Sequence, residues 1–136
     1  MAIGITNLDI TIVTGEDNLR EDSSATAWIL VIEGKETKEY STVIKTETEP
    51  EWKNNSTHGP IGWSVPSGIS NENISRFGIR MQSHESGTET SDNWNMNSVQ
   101  VTYPDGAGGN AVLVDQAGGP LVRLTGSEPA WETVLS

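Results

Sequence analysis

Two acidic stretches and a few isolated aromatic residues carry most of the chemistry available to this sequence. The first stretch, Glu16 to Ser24 (EDNLREDSS), offers Glu16, Asp17 and Asp22; the second, His84 to Asn93 (HESGTETSDN), offers His84, Glu85, Glu89, Asp92 and Asn93. Oxygens gathered from two loops are what a hard divalent cation takes, and Ca²⁺ takes about six to eight of them. The candidate metal ligands are therefore Glu16, Asp17, Asp22, Glu85 and Asp92, with His84 and Asn93 as polar ligand-binding groups beside them. On composition alone, an acidic run of this kind is ordinarily a solvated turn. The metal reading gains force only if the two loops lie side by side.

Catalytic chemistry finds little purchase. There is no cysteine, so neither a thiol nucleophile nor a thiolate metal site exists. His58 and His84 are the only histidines and form no His-x-x-x-His pair, which leaves zinc poorly supported. No Gly-x-Ser-x-Gly elbow and no Asp-x-Asp-x-Asp-Gly calcium loop occurs. Paired carboxylates for glycoside hydrolysis can be nominated, but nothing in the sequence sets their separation. The chain is expected not to be an enzyme, and His84 to orient its loop through hydrogen bonds.

The tryptophans divide by context. Trp28, Trp63 and Trp94 sit in apolar or alternating runs and are expected in the core, and Trp131 is expected to dock against the body. Trp52 stands between Pro50-Glu51 and Lys53-Asn54 without alternating apolar neighbours. It is the candidate exposed aromatic, suited to a bilayer interface or a sugar ring; the competing reading has it capping one end of the fold. The sequons at Asn54, Asn55 and Asn73 are read as incidental.

These groups have to be positioned by strands. Leu8 to Val13 alternates, Ala25 to Ile32 (ATAWILVI) is apolar on both faces and reads as a central strand, and Lys38 to Lys45 reads as an edge strand paired with it. His58 to Val65, Phe77 to Met81 and Trp94 to Tyr103 alternate as well. Asn110 to Asp115 and Pro120 to Thr125 read as two last strands joined by a hairpin at Gln116 to Gly119. One helical turn is expected within Ser67 to Ile74, with Ser70 as its cap. About eight strands at this spacing predict an all-β antiparallel sandwich or barrel, a single domain over residues 1–136.

Charge narrows the partners. At a formal net charge of −11 the chain lacks the lysines and arginines that displace counterions from nucleic acid, so nucleic acid is excluded as a partner. An anionic membrane repels it too, unless divalent cations reverse the sign at the contacting loops. No window approaches the roughly 20 apolar residues of a membrane-spanning helix. The opening MAIGITNLDITIV is interrupted by Thr6, Asn7 and Asp9 and reads as a first strand, not a signal peptide. The chain is expected to be soluble and cytoplasmic as made.

Two longer stretches resemble a known family. TGEDNLREDSSATAWILVIEG, residues 14–34, resembles the opening of PLAT (lipoxygenase homology) domains, where a strand ends in Thr-Gly-Asp and Thr-Asp-Ala-Asn-Val begins the next. ISRFGIRMQSHESGTETSDNWNMNSVQVTY, residues 74–103, is similar to their later signature, a strand leading through His-Asp-Asn and a loop to a tryptophan that opens a further strand. The resemblance implies an eight-stranded PLAT/C2-like β-sandwich, an accessory module that binds membranes or partner proteins, often with calcium at one loop end. Departures fall on the calcium residues: Glu16 replaces Asp, Ser24 stands where a second Asp belongs, and Glu85-Ser86 replaces Asp-Asn, which shifts the ligand set to Asp17, Asp22 and Asp92.

The sequence thus leads to a non-catalytic binding module, engaging a membrane or receptor surface through two acidic loops and Trp52, with Ca²⁺ as the expected cofactor. A role in a toxin or host-targeting system, with release from the cell, fits a free-standing module. The alternatives are a carbohydrate-binding lectin that uses Trp52 on a glycan, and a structural subunit that buries an apolar edge in an oligomer.

Overall fold

Alternation translates directly into burial. Along β1 (Asn7–Thr14) every second residue is buried, and Leu8, Ile10 and Ile12 are fully enclosed while Asn7, Asp9 and Thr11 are only half-buried. The computed structural model describes residues 3–82 and 93–135. Seven further strands follow: β2 (Ser24–Glu33), β3 (Glu36–Lys45), β4 (Thr57–Ser64), β5 (Ile74–Gln82), β6 (Trp94–Pro104), β7 (Asn110–Leu124) and β8 (Ala130–Val134). They form two four-stranded antiparallel sheets, ordered β4-β1-β6-β7 and β3-β2-β5-β8, and the described residues contain no helix. The expected all-β sandwich of about eight strands is the fold.

The core lies between the sheets. Leu8, Ile10 and Ile12 of β1 and Met96, Val99 and Val101 of β6 meet Ala27, Ile29, Phe77 and Ile79 of β2 and β5. Burying each of the larger aliphatic side chains contributes roughly 1.5–3 kcal/mol. In β6 the inward positions change parity between Met96 and Val99, because pairing with β1 steps from Met96 to Ser98 and leaves Asn97 as the extra residue of a bulge. That bulge keeps both Met96 and Val99 in the core.

Three expectations are corrected here. Residues 110–124 are one strand, not two joined by a hairpin: β7 pairs with β6 from Pro104↔Asn110 to Trp94↔Leu124, and residues 118–121 bulge out opposite Asn97. The eighth strand is instead β8, which carries Trp131 and pairs it with Ile79. Residues 67–74 form no helix; Asn73 closes a turn by donating its N–H to the Ser70 carbonyl. Trp63 and Trp94 are core residues as expected, but Trp28 is buried on the outer face of its sheet. Ala27 and Ile29 point into the sandwich, so Trp28 lies outside, flat over its strand partner Gly78, where an added Cβ would stand 2.1 Å from the indole.

Candidate functional site at the crossover end

Sheet order places four connections at one end of the sandwich. Residues 15–23, 46–56, 83–93 and 125–129 each carry the chain from one sheet to the other, and all start and finish at the end defined by Thr14, Ser24, Lys45, Thr57, Gln82, Trp94, Leu124 and Ala130. The strand ends that flank the two acidic loops therefore lie at one end. The register is explicit: Ser24, closing the first loop, pairs with Gln82, opening the second. Where the second loop closes, the Asn95 N–H donates to the Asp17 carbonyl at 3.0 Å and the Asn95 carbonyl accepts from Gly15 N–H at 2.8 Å.

The first loop is fixed by groups from two other segments, β6 and loop 46–56. Thr14 is fully buried and its hydroxyl accepts the Trp94 indole N–H at 3.1 Å. A Cβ at Gly15 would lie 2.3 Å from Asn97 Oδ1, so a side chain there would displace the Asn97 amide. Leu19 and Trp52 exchange two backbone hydrogen bonds, at 3.1 and 2.8 Å, as an isolated bridge between loops 15–23 and 46–56. Beyond this bridge the Asn18 amide donates to the Glu51 carboxylate.

Trp52 corrects the sequence reading. It is 5% exposed, stacked on His58 with ring centroids 4.3 Å apart and set edge-on to Trp94 at 5.7 Å. The indole closes the end of the core together with Leu19, the capping role weighed against exposure, so no aromatic face is offered to a bilayer or a sugar there. Its isolation in the sequence misled because its apolar partners, Leu19 and Trp94, are distant in the chain. His58 accepts or donates one hydrogen bond at Nε2 with Ser56 Oγ at 2.7 Å, and burial pushes its imidazole below the usual histidine range.

The predicted metal ligands are only partly brought together. Glu16 is exposed beside Asn55, Asn95 and Asn97, which line a hollow of about 250 Å³ with Gly119 and Pro120. Asp17 is held by Arg123, Oδ2 to Nη2 at 2.9 Å, and Asp22 lies 3.9 Å from Arg20 Nε. Among the described residues no three His, Asp or Glu side chains converge as metal ligands. His84, Glu85, Glu89 and Asp92 lie outside the described residues. Asn93 is half-buried next to Trp94.

Two contributors were not legible. Arg123 reaches this end because β7 is continuous, which places it opposite Asn95 and lets its guanidinium donate to Asn95 Oδ1 at 2.8 Å. Lys45 is fully buried, with its ammonium on backbone carbonyls of both loop 15–23 and loop 46–56. A lysine ending a polar edge strand carries no sequence signal for burial.

Fold and site together define an antiparallel β-sandwich with an acidic end built from sheet-to-sheet crossovers. No protein-family model and no curated protein sequence matches the chain. Among solved structures the fold is similar to the alpha toxin of Clostridium absonum, with a TM-score of 0.68 at 13% identity over 98% of this chain and 32% of the toxin chain. It is likewise similar to Clostridium perfringens alpha-toxin from an avian strain, with a TM-score of 0.63 at 12% identity over 98% of this chain and 32% of that one. The chain thus spans about a third of the length of the toxins it matches.

Proposed function

We propose that this chain is a non-catalytic binding module of PLAT type that engages a membrane surface through its crossover end, as part of a toxin system. The observation that carries the reading is the likeness, over 98% of this chain, to a domain-sized third of two clostridial alpha toxins. The end favoured for contact is the one where loops of four connections meet, since loops on a rigid scaffold present binding groups. In the described loops, Glu16, Asp17, Glu21, Asp22, Glu47, Glu49, Glu51 and Glu128 face only Arg20 and Lys53 as loop cations. An acidic end approaches an anionic bilayer only with divalent cations between them, so calcium dependence belongs to the proposal, with Glu16, Asp17, Asp22, Glu85 and Asp92 as its oxygen donors. The Asp17 carboxylate would exchange Arg123 for the ion.

Carbohydrate binding is the second reading, and one feature favours it. Asn55, Asn95 and Asn97 around the hollow beside Gly119 and Pro120 offer amide donors and acceptors of the kind that sugar hydroxyls use. Flotation of the full chain with phosphatidylcholine vesicles, with and without phosphatidylserine, in Ca²⁺ and in chelator, separates the readings. The membrane proposal expects the chain to float with phosphatidylserine vesicles in Ca²⁺ and to stay behind in chelator. Absence of flotation in every condition, beside a hit on a glycan array, supports the lectin; inertness in both assays supports a structural subunit.

A further inference from the structure

The crossover end contains a cation that the chain supplies itself. β3 is exposed for most of its length, yet its last two residues, Ile44 and Lys45, are 5% and 0% exposed. A bulge explains the change: Thr26 pairs with Val43 and its neighbour Ala25 with Lys45, so Ile44 is the additional residue and the parity of the strand reverses. Lys45 then points inward with Ala25 instead of outward with Val43.

Enclosed there, the three N–H groups of the ammonium have four carbonyl oxygens in reach, Ser23 at 2.7 Å, Glu21 at 3.0 Å, Thr46 at 3.2 Å and Glu49 at 3.4 Å. Two of these oxygens belong to loop 15–23 or its junction with β2, and two to loop 46–56. Their convergence is built locally: Ser23 N–H donates to the Arg20 carbonyl at 3.1 Å, and Glu49 N–H to the Thr46 carbonyl at 3.3 Å, so each loop turns back on itself around the ammonium. A buried ammonium is tolerated only when polar partners replace its hydration. Carbonyl oxygens converging from two segments form a cation site in the same sense as a ring of filter carbonyls.

We infer that Lys45 is the resident cation of a carbonyl cage that joins loops 15–23 and 46–56, and that the ligand class the cage takes is a primary ammonium. The cage deepens the proposed function, on which it rests only for what the crossover end is used for: it sets the junction of two of the four connections before any ligand arrives and without a metal ion. Calcium, in that proposal, acts between the carboxylates of the first and third connections. The two cations have separate tests.

Thermal melts and amide exchange on the full chain test the cage. Lys45→Met, which keeps the aliphatic stem, is expected to lower Tm by roughly 10 °C or more, with the Leu19 and Trp52 amides exchanging at least about tenfold faster. Lys45→Ala is expected to regain at least half of its lost Tm in propylammonium, which restores the missing atoms, and nothing in tetramethylammonium, which has the charge but no N–H. Wild-type protein responds to neither. A Lys45→Met Tm within about 2 °C of wild type, or equal effects of the two ammonium ions, overturns the inference. If the variants do not fold, the wild-type ammonium signal decides by NMR: Lys45 Nζ protons protected from water at neutral pH support the cage, and exchange as fast as at exposed Lys53 removes it. Neither measurement involves vesicles or calcium, so failure here is distinguishable from failure of the membrane proposal.

Discussion

The two ends of the sandwich differ in their connections: four sheet-to-sheet crossovers meet at the site, whereas the other end has two hairpins and the single crossover 65–73. At the end away from the site, the β2–β3 hairpin turns at Gly34 with φ 67°, and the β6–β7 hairpin turns through Gly106 and Gly108 with φ 82° and 88°. Their fastenings are local: Asp105 Oδ1 accepts the N–H groups of Ala107 and Gly109, and the Glu33 carboxylate accepts from Tyr40 at 2.9 Å while pairing with Lys38 at 3.1 Å. At the crossover end the fastenings join segments far apart in sequence. Trp94 reaches Thr14, Trp52 reaches Leu19, and Lys45 reaches Glu21 and Ser23. The hairpins are fastened residue by residue. Crossovers are held to distant segments, as 65–73 is at the far end, where Asn71 is tied to Ile3 and Asn73 to Ile32. Where four crossovers meet, a fault in one loop is felt in its neighbours.

The contrast can be broken at its strongest point first. Trp52→Ala removes the indole that stacks on His58 and closes the core over Trp94, and should destabilise the protein by about 3–5 kcal/mol in chemical denaturation. Hydrogen exchange should rise in 15–23 as well as in 46–56, while residues 105–109 keep wild-type rates. Next in size, Gly15→Ala drives a methyl group into Asn97 and should destabilise by about 1–3 kcal/mol. Adding Asn97→Ala should return part of that loss, and a double-mutant cycle measures how much. At the opposite end, Gly34→Ala places a side chain at positive φ and should destabilise by about 1–2 kcal/mol, with no change of exchange at Leu19 or Trp52.

The smallest effect is one of pH. Burial lowers the folded pKa of His58 from 6.5, so the unfolded chain binds the proton more readily. Its contribution to stability is present above about pH 6.5 and is lost as pH falls through the folded value. Melts of wild type and His58→Gln between pH 7.5 and 5, each chosen at about half-unit steps, should converge as the solution is acidified. Curves that stay parallel contradict the burial argument.

How much could be read from the sequence follows the same division between ends. Period-two runs such as Leu8 to Val13 and Phe77 to Met81 revealed their strands, because alternation reports burial against a single core. Both hairpins of the far end fall on turn-forming residues, Glu33-Gly34-Lys35 and the Gly-rich run from Pro104 to Asn110. The common end of the strands that lead into the two acidic loops was also within reach, since both strands, Leu8 to Val13 and Phe77 to Met81, alternate. Bulges were not. The one at Ile44 turned an apparent solvent lysine inward and leaves no mark in local composition; the one at residues 118–121 is marked by Gly118-Gly119-Pro120, but the same residues read equally as a hairpin turn. Trp28 and Trp52 failed differently, because a tryptophan's surroundings depend on partners such as Gly78 or Leu19 that only the fold brings close.

The claim that matters most is that the crossover end, not the hairpin end, meets the partner. Hydrogen exchange of the full chain, free and bound to phosphatidylserine vesicles in Ca²⁺, tests it directly. The account predicts slowed exchange on binding in residues 15–23, 46–56 and 125–129, with 34–35 and 105–109 unchanged. Protection confined to 34–35 and 105–109, with the crossover loops exchanging as in the free chain, would contradict it.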